Sequence, residues 1–338
     1  MSGIKAYRKL QLGLESTSGS AGAATALWRG TGVPEDRRVT VFPPEDVGYV
    51  SGVDRSYQPQ LLAAVDFEDT PATFEQLPYV LAAGVKNVVS GAADGAGSGK
   101  IYTYAFPTTS ANTIKTYTVE GGDDQQAEEM EYAFVESFKL SGKGGGSLPA
   151  LMLSSAWLGR QLSLSTFTGA IALPSVEEIL FGKANLYLDP VSGTSGSTLK
   201  SNTLIGADLE VKTGWAPRFA GDGQIYFGRA AHVREAMEVL LRVTFEHDAT
   251  SVAEKANWRA QTARLLRLLW QGSALGTPGT TYTYKSLIVD LAGKWDSFEK
   301  IGEDNGNDIV TGTFRARYDA TSNSFAQIVV VNELASLT

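Results

Sequence analysis

The sequence predicts an α+β chain, mostly β, built as two tandem β-sandwich or barrel domains with one main helix flanking each. Three internal echoes carry that expectation. Leu62–Glu68 reads L-A-A-V-D-F-E and Leu240–Glu246 reads L-L-R-V-T-F-E, an offset of 178. Tyr102-Thr103-Tyr104 returns as Tyr282-Thr283-Tyr284, offset 180. Val135-Glu136-Ser137-Phe138 returns as Trp295-Asp296-Ser297-Phe298, offset 160. Order is kept while spacing drifts, as when two copies of one unit differ in their loops. The expected boundaries are an N-terminal arm at 1–32, repeat one at 33–168, a linker at 169–203 and repeat two at 204–338.

Composition narrows the function. A chain of 338 residues, 43% of them apolar, has material for two cores. There is no cysteine, which excludes disulfides, thiolate chemistry and sulfur-ligated zinc, and fits assembly in a reducing cytoplasm. With 29 Lys and Arg against 37 Asp and Glu, the net charge of −8 disfavours tight nucleic-acid binding, which requires phosphate neutralisation. No apolar run reaches the length of a membrane span. Met1–Leu14 carries Lys5, Arg8 and Lys9 but no apolar core of a secretion signal, so it reads as mature sequence.

In the arm, Leu10, Leu12 and Leu14 alternate as in a short strand, and Ser16–Ala26 is too small and polar to nucleate a core. A disordered tail and an arm docked on a neighbour are both compatible with it. In repeat one, strands are expected at Val39–Phe42 and Gln60–Glu68. A helix opens at Thr70-Pro71, is kinked or split by Pro78 and ends at Gly84. A mobile glycine loop (Gly91–Gly99) precedes strands at Lys100–Phe106, Thr113–Glu120 and Glu131–Leu140. After a second glycine loop (Lys143–Ser147) come strands at Leu148–Ser155 and Gln161–Thr168. The linker holds a turn near Val176–Phe181, a strand at Ala184–Leu188 and a flexible Gly193–Ser197.

Repeat two opens with a strand at Asp208–Thr213, then Ala236–Glu246. A long helix should follow. Ser251 and Glu254 stand at capping-box spacing. Val252, Ala256, Ala263, Leu266 and Trp270 share a face, widened by Trp258, Leu265 and Leu269, and Gly272 is a natural stop. Strands are expected at Thr281–Leu291, Ile309–Tyr318 and Phe325–Asn332.

Nothing points to catalysis. Phe245-Glu246-His247-Asp248 lies at a strand end, where neighbouring side chains diverge; His232 stands elsewhere. Gly95–Lys100 fails as a phosphate loop, because Asp94 holds the first glycine position and Ile101 follows the lysine. Asp304–Asp308 lacks a distal glutamate and reads as a β-turn. The largest charge block, Asp123, Asp124, Glu128, Glu129 and Glu131, is either a solvated loop or a surface that repels DNA. Arg259, Arg264 and Arg267, placed on the long helix, are expected to pair with a neighbouring subunit's carboxylates. No cofactor or metal is implied.

Several stretches, in order, resemble major tail tube proteins of long, non-contractile-tailed bacteriophages. They are Lys9–Glu15 followed by Ala23–Gly30, Val135–Gly142, Met152–Ser154, Trp157–Arg160, Pro174–Gly182, Leu186–Asp189, Gly221–Gly223 and Phe245-Glu246. The resemblance implies a virion structural protein. Its tube domain is sandwich-like with a flanking helix, and its rings stack into a conduit for DNA ejection. Family members carry one such domain and form hexamers; a duplicated chain should form a homotrimer, a pseudo-hexameric ring and then a helical polymer. The implied partners are the chain itself, the tape measure, tail terminator and tail tip proteins, and duplex DNA in transit, with no membrane binding. Candidate inter-subunit contacts are Leu10, Leu12, Leu14, Trp28, Arg259, Arg264 and Arg267. The acidic block supplies candidate lumen or loop residues.

Geometry bears on the copy number. If each domain gives four strands to an inner barrel, about 24 strands at ~4.8 Å spacing and ~40° tilt enclose roughly 48 Å between backbones, or about 35 to 40 Å inside the side chains. Such a bore passes duplex DNA, and twice as many strands would be far wider than needed. A conduit must not hold its cargo, so a net-negative lumen is expected. The alternative is a bilobal adhesin or carbohydrate-binding module, for which Trp215 and Tyr226 are the aromatic candidates.

Overall fold

A computed structural model describes residues 3–145, 149–233 and 237–338. The first half contains β1 (Lys9–Leu14), β2 (Ala26–Leu27), β3 (Pro34–Asp36), β4 (Val39–Val41), β5 (Tyr57–Gln60), β6 (Ala63–Pro71), α1 (Leu77–Gly84), β7 (Ala92–Ala93), β8 (Lys100–Ala105), β9 (Tyr117–Gly122), β10 (Ala127–Lys143), β11 (Met152–Gly159) and β12 (Leu162–Ser165). The second contains β13 (Ala184–Pro190), β14 (Leu199–Lys200), β15 (Leu204–Lys212), β16 (Trp215–Arg218), β17 (Arg229–His232), β18 (Glu238–Glu246), α2 (Ala249–Arg259), β19 (Arg264–Ala274), β20 (Tyr284–Phe298), β21 (Gly302–Asp304), β22 (Asn307–Ala316) and β23 (Ala326–Asn332). The chain is α+β and mostly β, as its patterning predicts.

Two long strands organise the halves. β10 pairs through its first part with β9 and β12, and through its last part with β11 and β15. β20 does the same with β19 and β23, then with β22. Each carries a bulge at the echoed motif, one between Val135 and Ser137, the other between Trp295 and Ser297. Each therefore passes from one layer of a sandwich to the other, and apolar side chains fill the space between. In the first half Phe67 stacks on Trp157 and meets Trp28; in the second Trp295 packs against Phe245 and Phe314.

The remaining order also repeats. β1 pairs with β9 and β2, as β13 pairs with β19 and β14. β6 pairs with β11 and β3, as β18 pairs with β22 and β15. Antiparallel hairpins, β4–β5 and β16–β17, interrupt the same connection in both halves. The difference is β7–β8, an insertion in the first half whose β8 adds to β23 of the second.

This architecture corrects several expectations. The arm is no appendage: β1 makes a six-residue ladder with β9, and Leu10, Leu12 and Trp28 are buried in the chain's own core. Nor is 169–203 a linker. Its strand β13 edges β19, and Asp189 accepts backbone N–H bonds from Gly196, Ser197 and Thr198, fixing the supposedly flexible loop. Thr70-Pro71 closes β6 instead of opening a helix, and Pro78 sits in the first turn of α1, where its missing N–H costs nothing. The long helix ends at Arg259. Gln261 takes a left-handed φ of 54°, and the chain turns into β19. Both faces of β19 are covered over Leu265–Trp270, so its apolar run lacks strand alternation and mimics a helix face. The cap lies one turn earlier than expected: Asp248 and Ser251 form the capping box. The loop at 91–99 is no mobile tip either. Asp94 accepts N–H bonds from Thr281 and Tyr282, and a Cβ on Gly97 would lie 2.5 Å from Gly279 Cα. The expected turn at Asp304–Asp308 is present, with Asn305 and Gly306 both left-handed. Gly146, Ser147 and Leu148 of the second glycine loop and the following strand, and Ala236 at the expected start of β18, lie outside the described residues.

Candidate functional site: the junction between halves and the open edges

The second layer of each half merges into one eight-stranded sheet, in the order β3-β6-β11-β10-β15-β18-β22-β20. The fusion point is β10–β15, a seven-residue antiparallel ladder from Ser137 opposite Lys212 to Lys143 opposite Gly206. Beyond it, the Thr213 N–H donates to the carbonyl exposed by the Glu136 bulge at 3.0 Å, and Thr213 Oγ1 donates to Val135 O at 2.8 Å. Gly84 makes this approach possible, since a Cβ there would stand 3.0 Å from the Thr213 methyl.

The β16–β17 hairpin then lies over the first half. Trp215 Nε1 donates to Gly84 O at the end of α1 (3.0 Å), and its ring stacks on His232. Phe227 inserts between Tyr132 and Phe134. Arg160 donates to Phe227 O and Gly228 O, both at 3.0 Å. Each half thus meets the other through a strand ladder plus a seated hairpin. Trp215 is buried in this seat and Tyr226 lies against Arg160, so neither is a free carbohydrate platform.

The ladder network does not close on itself. Among the described residues, β3 pairs with β6 alone, and the last part of β20 pairs with β22 alone. These are the two ends of the eight-stranded sheet. They are also the structural counterparts of the strands that meet at β10–β15. At the β20 end, the carbonyl of bulge residue Asp296 accepts from Trp258 Nε1 (3.1 Å), where that of Glu136 accepts from a strand.

One face of this sheet packs on the core and the other is polar. Asp66 and Glu68 on β6, Ser137 and Lys139 on β10, and Glu210 and Lys212 on β15 surround a cavity of about 580 Å³ on it. The bases on this face are matched across strands, Lys139 with Glu210 (3.4 Å), Lys212 with Glu238 (3.2 Å) and Arg242 with Glu299 (2.6 Å), while Asp66, Glu68 and Asp208 have no ion pair among the described residues. Arg315 bridges Glu238 and Asp296. Partial burial alone would raise the Glu238 carboxyl, but Lys212 and Arg315 outweigh it and hold it below the ordinary carboxylate range.

The residues expected at interfaces lie elsewhere. Leu10 and Leu12 (both 1% exposed) and Trp28 (4%) are core, and Leu14 packs against that core, so none presents a contact surface to another chain. Arg264 and Arg267 are on a strand, not a helix, and pair within the chain. Arg264 reaches buried Glu254 at 2.8 Å, and Arg267 forks onto Asp290 at 2.6 and 2.8 Å. Arg259 is exposed at the last position of α2. Of the acidic block, Asp123 and Asp124 lie in the β9–β10 turn. Glu128, Glu129 and Glu131 lie on the first part of β10, in the other layer from the polar face. Burial first, then nearby Glu120, raises the Glu129 carboxyl; burial likewise raises Glu131 despite Arg160.

Two features escaped sequence reading. Thr213 lies in no motif, and the Val135–Phe138 echo gives no sign that the Glu136 carbonyl takes a partner from the other half. The other was visible: Lys9-x-x-Leu12-x-Leu14-Glu15 returns as Lys183-x-x-Leu186-x-Leu188-Asp189, offset 174. In both, the closing acid accepts backbone N–H bonds from the loop after the strand. No protein-family model matches the chain, and no curated protein matches it significantly.

Proposed function

We propose that this chain is a ring-forming structural protein of a bacteriophage tail tube. The observation that carries this reading is the eight-stranded sheet, continuous through two equivalent halves yet, among the described residues, unpaired at both ends. A sheet end left open inside a single chain is a template for another chain. The two ends are counterparts of strands already joined at β10–β15, so a head-to-tail contact between copies repeats a junction the chain already makes. Such heterologous contacts generate a closed ring when the rotation fits. Three copies supply about 24 strands, and a barrel roughly 48 Å across between backbones, at ordinary spacing and tilt.

The polar face of the sheet then lines the bore. Its bases are paired with acids across strands, and Asp66, Glu68 and Asp208 add carboxylates beyond those pairs, so phosphates meet few unpaired cations. DNA slides past a face whose bases are already partnered and whose surplus is acidic, in keeping with the expected net-negative lining. Electron microscopy of the purified protein should show annuli or striated tubes with a central channel. A chain that stays monomeric at high concentration, with no annulus in any field, overturns the reading.

A further inference from the structure

We infer that the β4–β5 hairpin of one copy seats on the second half of another copy, in the way that β16–β17 seats on the first half within the chain. The two hairpins occupy the same place in the repeated order, one between β3 and its partner β6, the other between β15 and its partner β18. Their surroundings differ. In β16–β17 the anchors Trp215 and Phe227 are buried. Phe42 and Tyr49 of the β4–β5 hairpin are 69% and 70% exposed, and Val47, Val50 and Tyr57 are exposed with them. So many large apolar side chains on one hairpin mark a surface meant to be covered. The preceding strand shows the same deficit: β3 is three residues long where its counterpart β15 is nine. β15 has β10 along its outer side, and among the described residues β3 has no such partner.

The seat has a counterpart as well. The shared bulges place Phe134, Leu158 and Arg160 of the first half at the positions of Lys294, Arg315 and Arg317 in the second. Those three residues, with Gly293, Asp296 and Tyr318, line an open groove of about 190 Å³ beside the end of α2. Arg315 is already held by Glu238 and Asp296, and Glu45 of the incoming hairpin by Arg55, which leaves Lys294 and Arg317, beside Asp319 on the groove wall, to meet Asp46 and Asp54. Where the seat within the chain is aromatic, this one is lined by charges of both signs, so each hairpin has a distinct address.

With the ring reading as its basis, three such contacts close the ring, and the register follows from the internal ladder. Lys212 stands opposite Ser137; the corresponding pair between copies is Arg37 with Ser297, both exposed. The natural chain has no cysteine, so Arg37→Cys with Ser297→Cys introduces the only thiols. Treated with a short bismaleimide, this variant should give covalent species that end at trimer, while neither single-cysteine variant does so. In a second variant, Phe42→Asp with Tyr49→Asp, circular dichroism and melting should match the parent while annuli are lost. Parent annuli without the cross-link, or annuli persisting in the aspartate variant, overturn the hairpin contact and leave the tube reading standing. Absence of annuli from the parent overturns both.

Discussion

The polar residues that count most for stability are few and buried. The Glu254 carboxylate accepts from Arg264 through two nitrogens, from Trp295 Nε1 (2.8 Å) and from Asn257, with almost no contact with solvent. Removing it strands a nearly buried guanidinium, so Glu254→Ala should lose about 3–5 kcal/mol in urea unfolding. The exposed pair Lys139–Glu210 is a contrast: Lys139→Ala should change stability by less than about 1 kcal/mol. Titration separates two kinds of carboxylate. Partial burial would raise Glu177, but hydrogen bonds from Ser273 and the ammonium of Lys285 outweigh it, so its stabilisation is present above the unfolded value and lost as pH falls through a folded value below the usual range. Glu129 and Glu131 have raised folded values, so their penalty is complete above those values and relieved as pH falls through them. Glu129→Gln with Glu131→Gln should therefore raise the melting temperature at pH 7 and leave it nearly unchanged at pH 4, by calorimetry. None of this was readable beforehand. Glu254 looked like half of a capping box, and its partner Arg264 lies ten residues on, across a turn that the helical pattern concealed.

At the level of elements, legibility followed burial on one face. Strands with one wet side alternate in sequence: β22 lies within two residues of its expected bounds, whereas β15 begins four residues before its expected start at Asp208. β19 is covered on both sides, and its Leu-rich run passes equally for helix or strand. The echo between β6 and β18 marked equivalent strands, yet the ladders through β11 and β22 align them two residues away from the sequence match. An even slip preserves which side chains face the core, so the echo survived it. The β10–β15 junction is the ladder that makes one sheet of the two halves. Thr213→Val keeps the shape but removes the hydroxyl bonds to Val135 and Glu136, and should cost about 1 kcal/mol. Limited proteolysis should then cut first near the β16–β17 hairpin. Trp295→Ala, by comparison, opens the core of the second half and should cost about 3–5 kcal/mol in thermal unfolding.

For the whole molecule, the feature with the widest consequence is one sheet that runs through both halves and has an unpaired side at each end among the described residues. If its polar face lines a bore, assembled tubes should retain no duplex DNA in a filter-binding assay, even at low salt, because the lining cations are already paired. Lys212→Glu with Lys139→Glu should leave DNA retention unchanged, whereas Glu210→Lys with Glu238→Lys should produce retention that salt abolishes.

The sequence by itself determined the class, the near-repetition and most strands, because alternation and echoed motifs are local properties that each segment carries. Only the tertiary structure decided that the N-terminal segment and the middle segment are matching edge strands, that the two halves share one sheet, and that this sheet ends in two unpaired edges. Those are facts of pairing between segments far apart in the chain, and a strand's sequence specifies which face is buried much more strongly than which neighbour it takes.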